Sequence, residues 1–330
     1  MERRNLYDLM MALDPEHQYA DCAEILTESN PVVEDMPMYP SNAEMGHEST
    51  LRSTLPTVYR GKLNMGLTRS KSTKKKVVDT IGMYTGRAEV DSRTSAWVGS
   101  DKLEMDRGSE EDAFLEKFTQ TIAYDLLYGD EDIYESGMTG LQPRLQTAAT
   151  AKTGSQVAKH HGSPSGSDYT SIYVVDWGER ACHGIYPKNH KAVGLDVEDR
   201  GKMDVLDAES NPFPAWVTDF HWYVGLAVED PRHIGRLANI DVSQALADTT
   251  TLLHKSLVPL LNRMPKGKGW QRVLYCSTDI KSALELQLKY TTAANVWLTM
   301  QEYLGQEILH VCGNPIRDVD QVSQAEDTIS

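Results

Sequence analysis

The stretch LTRSKSTKKKVVDTIGMYTGRAEVD, residues 67–91, decides how the rest of the chain is read. Its first eleven residues carry Arg69, Lys71, Lys74, Lys75 and Lys76 and no carboxylate, in a chain of 330 residues with a formal net charge of -15. With TLPTVYR (54–60) before it, the segment reads as two long strands joined at a polar, cationic tip, because β-branched and aromatic residues flank a Ser/Thr-rich centre. Three roles fit such a tip: a solvated turn, contact with an acidic partner or sister subunit, or contact with nucleic acid. The acidic remainder opposes general binding to phosphate surfaces, so any polyanion contact must be local.

The totals fit a globular protein, with 40% hydrophobic and 25% charged residues. The length allows two or three domain-sized units, or one core with long extensions. Cys22, Cys182, Cys276 and Cys312 are scattered without a C-x-x-C pair, which predicts reduced thiols and no zinc site. The opening MERRNLYDLMMALDPEH lacks the apolar run of a signal peptide, and nowhere do about 18 apolar residues follow one another, so no membrane span is expected. Synthesis and folding in a cytoplasm follow from these features.

Outward from the hairpin, residues 6–28 carry apolar residues at helical spacing, and SNPVVEDMPMYPSN (29–42) holds three prolines, predicting broken helical pieces and an extended arm. GSEEDAFLEKFTQTIAYDLLYGD (108–130) is the clearest helix. Ser109 is its expected N-cap and Gly129 its C-terminal stop, with Phe114, Leu115, Phe118, Ile122 and Leu126 along one face. Residues 146–168 are small and polar, predicting a mobile surface loop. TSIYVVDW and ACHGIYP around Gly178 and Glu179, and AWVTDFHWYVGLAVED and RHIGRLANIDV around Pro231, read as two hairpins. Residues 241–263 read as helix kinked or ended at Pro259, and 270–290 as a strand followed by a helix capped near Ser277 to Asp279. Two more strands and a frayed tail, QVSQAEDTIS, close a chain of class α+β.

Catalytic signatures are absent. The Gly-Lys pairs at 61, 201 and 267 lack the rest of a phosphate-binding loop, and GSPSG (162–166) has no central serine for a nucleophile elbow. His160 and His161 are adjacent and cannot share a helical metal face, while His183 and His221 lie in strand-like runs and read as packed residues. The acidic run 194–210 lacks the calcium-loop pattern and reads as solvated surface. The aromatic residues near 169–186 and 216–223 read as packing rather than base stacking. The sequence therefore calls for no catalytic residue, metal or cofactor.

The order of parts carries a resemblance. LPTVYRGKLNMGLTRSKSTKKKVVDTIGMYTGRAEVD, EEDAFLEKFTQTIAYDLLYGD followed by MTGLQPR, GSDYTSIYVVDWGERACHGIYPK, HWYVGLAVEDPRHIGRLANID and GNPIRDVD, in that order, resemble the major capsid proteins of short-tailed (podovirus) tailed bacteriophages, which have the Hong Kong 97 fold. The resemblance implies an N-terminal arm at 1–45, an extended E-loop hairpin at 46–100, a P-domain with a long spine helix at 101–244, and an A-domain with closing strands at 245–330. It implies self-assembly into hexamers and pentamers of an icosahedral shell around double-stranded DNA, assembled in the host cytoplasm. Portal, scaffold and cement or decoration proteins would be partners, and DNA would lie against the inner surface without sequence-specific binding. An E-loop crossing a neighbouring subunit makes Arg60, Lys62, Arg69, Lys71, Lys74, Lys75 and Lys76 the expected intersubunit contacts. The rivals are an encapsulin-type nanocompartment shell, a soluble enzyme with a deep polar pocket, and a nucleic-acid-binding protein using residues 69–76.

Overall fold

In the computed structural model the described residues run from 30 to 329, apart from 45, 62, 65, 67, 95–99, 135–136, 148–155, 161–167, 191–193, 208, 248–252, 267–268, 291–297 and 304–305. In chain order they form α1 (Pro31–Asp35), β1 (Met38–Pro40), β2 (Gly46–Thr54), β3 (Thr73–Asp91), α2 (Ser100–Tyr128) and α3 (Leu141–Arg144). Then follow β4 (Val157–Lys159), β5 (Tyr169–Trp177), β6 (Cys182–Tyr186), β7 (Leu195–Leu206), β8 (Pro212–Val228) and β9 (Ile234–Asp241). Last come α4 (Val242–Ala247), α5 (His254–Arg263), β10 (Gln271–Cys276), α6 (Thr278–Tyr290), β11 (Leu298–Tyr303), β12 (Gln306–Val311) and β13 (Asn314–Asp318).

Strand pairing runs β11-β12-β13-β10-β5-β6-β8-β3-β2, with β9 on β5, β4 on β9, β7 on β8 and β1 on β6. Its two halves join through one pair, Trp177 with Cys182. Strand β5 is buried along its whole length. Its alternation sends Tyr173, Val175 and Trp177 into a core with Ile122, Leu126 and Leu127 of α2, and Ile172 and Val174 into a second core with Leu257, Leu260 and Ile280.

The hairpins expected at Gly178 and Pro231 do not form. Antiparallel β9 and β10 occupy the edges of β5, β9 as far as Val175, so β6 meets β5 at the parallel pair Trp177↔Cys182 and otherwise pairs with β8 and with β1. Residues 156–160, inside the expected mobile loop, hold the strand β4, parallel to β9 with Gln156 and Val157 buried. Pro259 lies inside α5 rather than ending it. The closing region has three strands, not two. The tail is anchored: Val322 is buried, and the Ile329 amide donates to the Asn239 carboxamide oxygen at 2.9 Å.

The long helix begins at Ser100, nine residues before its expected cap at Ser109. Lys102, Leu103, Glu104, Met105 and Arg107 are good helix formers, and one glycine at 108 costs only about 1 kcal/mol. Arg107 adds an external tie, reaching Asp199 of β7 at 2.9 Å with its guanidinium 5.0 Å from the Trp216 ring of β8. Twenty-nine residues make a spine of about 44 Å. Phe114 and Phe118 pack on Phe220 of β8, with ring centroids 5.8 and 6.3 Å away, and Tyr84 donates to Asp125 at 2.7 Å.

Candidate intersubunit interface

Strand β3 has two partners along its length. Residues Ile81–Asp91 pair with β8 inside the main sheet, and Thr73–Thr80 pair only with β2. The change falls between Thr80 and Ile81, next to Asp79, whose buried carboxylate accepts from Arg144 at 2.8 Å and from the Val228 amide at 3.0 Å. Gly46 faces this point, where a Cβ would strike the Asp79 carbonyl. The inner half of β3 is fixed across the sheet, because Asp219 of β8 accepts from Arg87 of β3 and Arg200 of β7, both at 2.5 Å. The Arg87 hydrogen bonds hold the Asp219 carboxyl below the usual range. A rigid root therefore carries a hairpin that leaves the body.

Beyond the ladder, the hydrogen bonds among the described tip residues run across the tip itself. Thr54 and Thr73 hydroxyls lie 2.6 Å apart, and the Thr57 amide donates to Ser70 Oγ at 2.7 Å. Among the described tip residues Leu55, Val58, Tyr59 and Leu63 are 75%, 91%, 55% and 97% exposed. Such a concentration of exposed apolar side chains on a thin excursion makes the tip the candidate interaction surface.

Arg60, Arg69 and Lys71 are exposed in this tip. Lys62 lies outside the described residues. Lys74, Lys75 and Lys76 belong to β3 rather than the tip, opposite Arg52, Leu51 and Thr50. Lys76 pairs with Glu48 of its own subunit at 2.6 Å, an exposed contact of about 0–1 kcal/mol. Arg52 faces Lys74 with like charge, an arrangement disfavoured unless an acidic surface covers it. The strand expected over TLPTVYR (54–60) stops at Thr54, because among the described residues no partner strand faces 55–60, and these together with Leu63 lie exposed in the irregular tip; neither Arg52 nor the four apolar side chains carried a signal in the sequence that marked them as exposed.

A buried histidine pair stands at the hairpin's root. His47 of β2 and His183 of β6 meet edge to face at 5.2 Å, with Tyr39 against His183 at 5.2 Å and Glu229 Oε1 3.3 Å from His47 Nε2. Burial first, then His47, holds the His183 pKa below its ordinary value, against the opposing pull of Glu229 and Asp79. A depressed folded value means stability that is present above the unfolded pKa of about 6.5 and lost as pH falls through the folded one. Urea midpoints of the unassembled subunit should fall between pH 7.5 and 5, and His183→Gln should flatten that slope. An unchanged slope in the variant would remove His183 as its cause.

A long spine helix on the sheet, with a two-stranded hairpin leading away from its root, is the arrangement that a Hong Kong 97-type shell subunit requires. A profile for the family described as Major capsid protein GP7 matches residues 14–330. The chain belongs to that family and is a major capsid protein. Its fold is similar to bacteriophage Epsilon15, with a TM-score of 0.79 and 26% identity over 100% of this chain and 98% of the other. The bacteriophage JBD30 capsid aligns at a TM-score of 0.48 and 11% identity over 95% and 97% of the two chains. The SrpI encapsulin of Synechococcus elongatus PCC 7942 aligns at 0.46 and 12% over 74% and 98%, and at these levels neither carries further argument. No curated protein matches the sequence.

Proposed function

We propose that copies of this chain assemble as hexamers and pentamers into a closed icosahedral shell around packaged double-stranded DNA, each hairpin gripping a neighbour. The observation that supports this best is the tip, where residues 55–61 are exposed throughout and apolar side chains stand beside Arg60, Arg69 and Lys71 with no body beneath them. We assign 1–45 to the N-arm, 46–100 to the E-loop, 101–244 to the P-domain and 245–330 to the A-domain, with β4, β5 and β9 carrying the P-domain chain into the A-domain sheet. Arg60, Lys62, Arg69, Lys71, Lys74 and Lys75 contribute charge to the contact, and Lys76 steadies the hairpin through Glu48. The role is structural rather than catalytic. Assembly takes place in the host cytoplasm, with portal, scaffold and decoration proteins as further partners. A formal charge of -15 keeps most of the subunit from adhering to DNA at the inner surface.

The full chain, expressed alone and viewed by negative-stain microscopy, is expected to form shells or curved sheets. A monomer at high concentration, by sedimentation, would overturn the reading. Particles filled with an enzyme and no DNA after infection would redirect it to a nanocompartment.

A further inference from the structure

We infer that the apolar, cationic tip of one subunit docks on the exposed Ile133–Tyr134 turn of a second copy, beside Asp130, Glu131 and Asp132. This rests on the shell reading and names the receiving surface. Helix α2 closes with the Gly129 amide on the Asp125 carbonyl at 2.8 Å. The Asp130 carbonyl then accepts from the Ile133 and Tyr134 amides at 3.1 and 3.0 Å, and its carboxylate accepts from the Asp132 amide at 3.0 Å. That tight turn carries two neighbouring large apolar side chains, each 71% exposed. Three carboxylates and no cation accompany them in residues 129–134.

The tip is its complement. Leu55, Val58, Tyr59 and Leu63 are exposed there among Arg60, Arg69 and Lys71. Among the described residues neither set has an ion pair within its own subunit. Position makes the match intermolecular. Thr80 donates to Glu131 at 2.6 Å, so the turn stands at the root of its own hairpin. The β2–β3 ladder from Gly46↔Thr80 to Thr54↔Thr73, with a register shift between Arg52 and Thr54, holds the tip roughly 24 Å farther out. One subunit thus carries the projecting surface at one end of the hairpin and the receiving surface at the other. Contacts of this kind are head to tail, and closed rings satisfy every member.

Charge reversal of the full chain tests it. Asp130 is kept because its carboxylate holds the turn. Glu131→Lys with Asp132→Lys, and separately Arg60→Glu with Arg69→Glu and Lys71→Glu, should each raise the concentration at which shells appear about tenfold or more. Both sets in one chain should return it to within about threefold of the unmodified protein, as restored opposite charges require. Ile133→Ser with Tyr134→Ser should also raise it, while leaving its salt dependence unchanged, with circular dichroism reporting an intact fold. If turn variants assemble like the unmodified chain while tip variants do not, or if the combined chain fails to recover, this docking is wrong and the shell reading stands. An unmodified chain that never assembles overturns both.

Discussion

Glu326→Ala is expected to destabilise the subunit by about 3–5 kcal/mol, the range for breaking a buried ion pair from one side. The Glu326 carboxylate accepts from Arg236 at 2.7 Å, Tyr173 at 2.9 Å, Tyr128 at 2.5 Å and the Ser171 hydroxyl. Both charged side chains are only 2% exposed. Without the carboxylate, Arg236 keeps Ser171 and the Leu145 carbonyl, but one arm of its guanidinium is left buried and unpaired. Two phenols lose their acceptor as well. Urea unfolding followed by tryptophan fluorescence measures the loss, and a change below about 1 kcal/mol would show that water reaches the site. Arg236→Met combined with Glu326→Leu should recover part of the stability, because the apolar pair removes the unpaired charge while the Tyr128, Tyr173 and Ser171 hydroxyls still lack the carboxylate.

That network explains why the tail could not be read from its sequence. QVSQAEDTIS is polar and has no periodicity, and the partner of Glu326 lies ninety residues earlier in β9. The same holds for the two false hairpins. Short links between β-rich runs look like turns, but the pairing of β5 is settled by Arg236 and Tyr275, distant in sequence from its facing residue Tyr173. The body of α2 was legible because its apolar spacing records the face it buries. Its start was not, because Ser109 is a good local cap overridden by Arg107 binding β7 and packing on Trp216. At the interface, charge was legible and exposure was not. Cations announce themselves in any fold, whereas Val58 and Leu63 read as interior residues until the hairpin is seen to leave the body.

Excision of the tip should separate folding from assembly. Thr54 and Thr73 are facing partners, so replacing residues 55–72 with Asn-Gly closes the ladder by a two-residue turn. The body should lose less than about 1 kcal/mol, the scale of surface changes that leave core and buried networks intact. Shell formation should be lost. Burying Leu55, Val58, Tyr59 and Leu63 against a neighbour is worth roughly 1.5 kcal/mol each before ordering costs, whereas an exposed ion pair contributes about 0–1 kcal/mol. On the proposed contact, apolar burial is therefore expected to dominate the strength of the grip, with the cations chiefly setting its register and partner. It follows that replacing the four apolar residues with serine should impair assembly more than replacing Arg60, Arg69 and Lys71, and that raised salt should weaken shells only modestly. Sedimentation velocity and negative-stain microscopy distinguish the outcomes. A tip-excised chain that still forms shells at normal yield would show that other surfaces hold the subunits together.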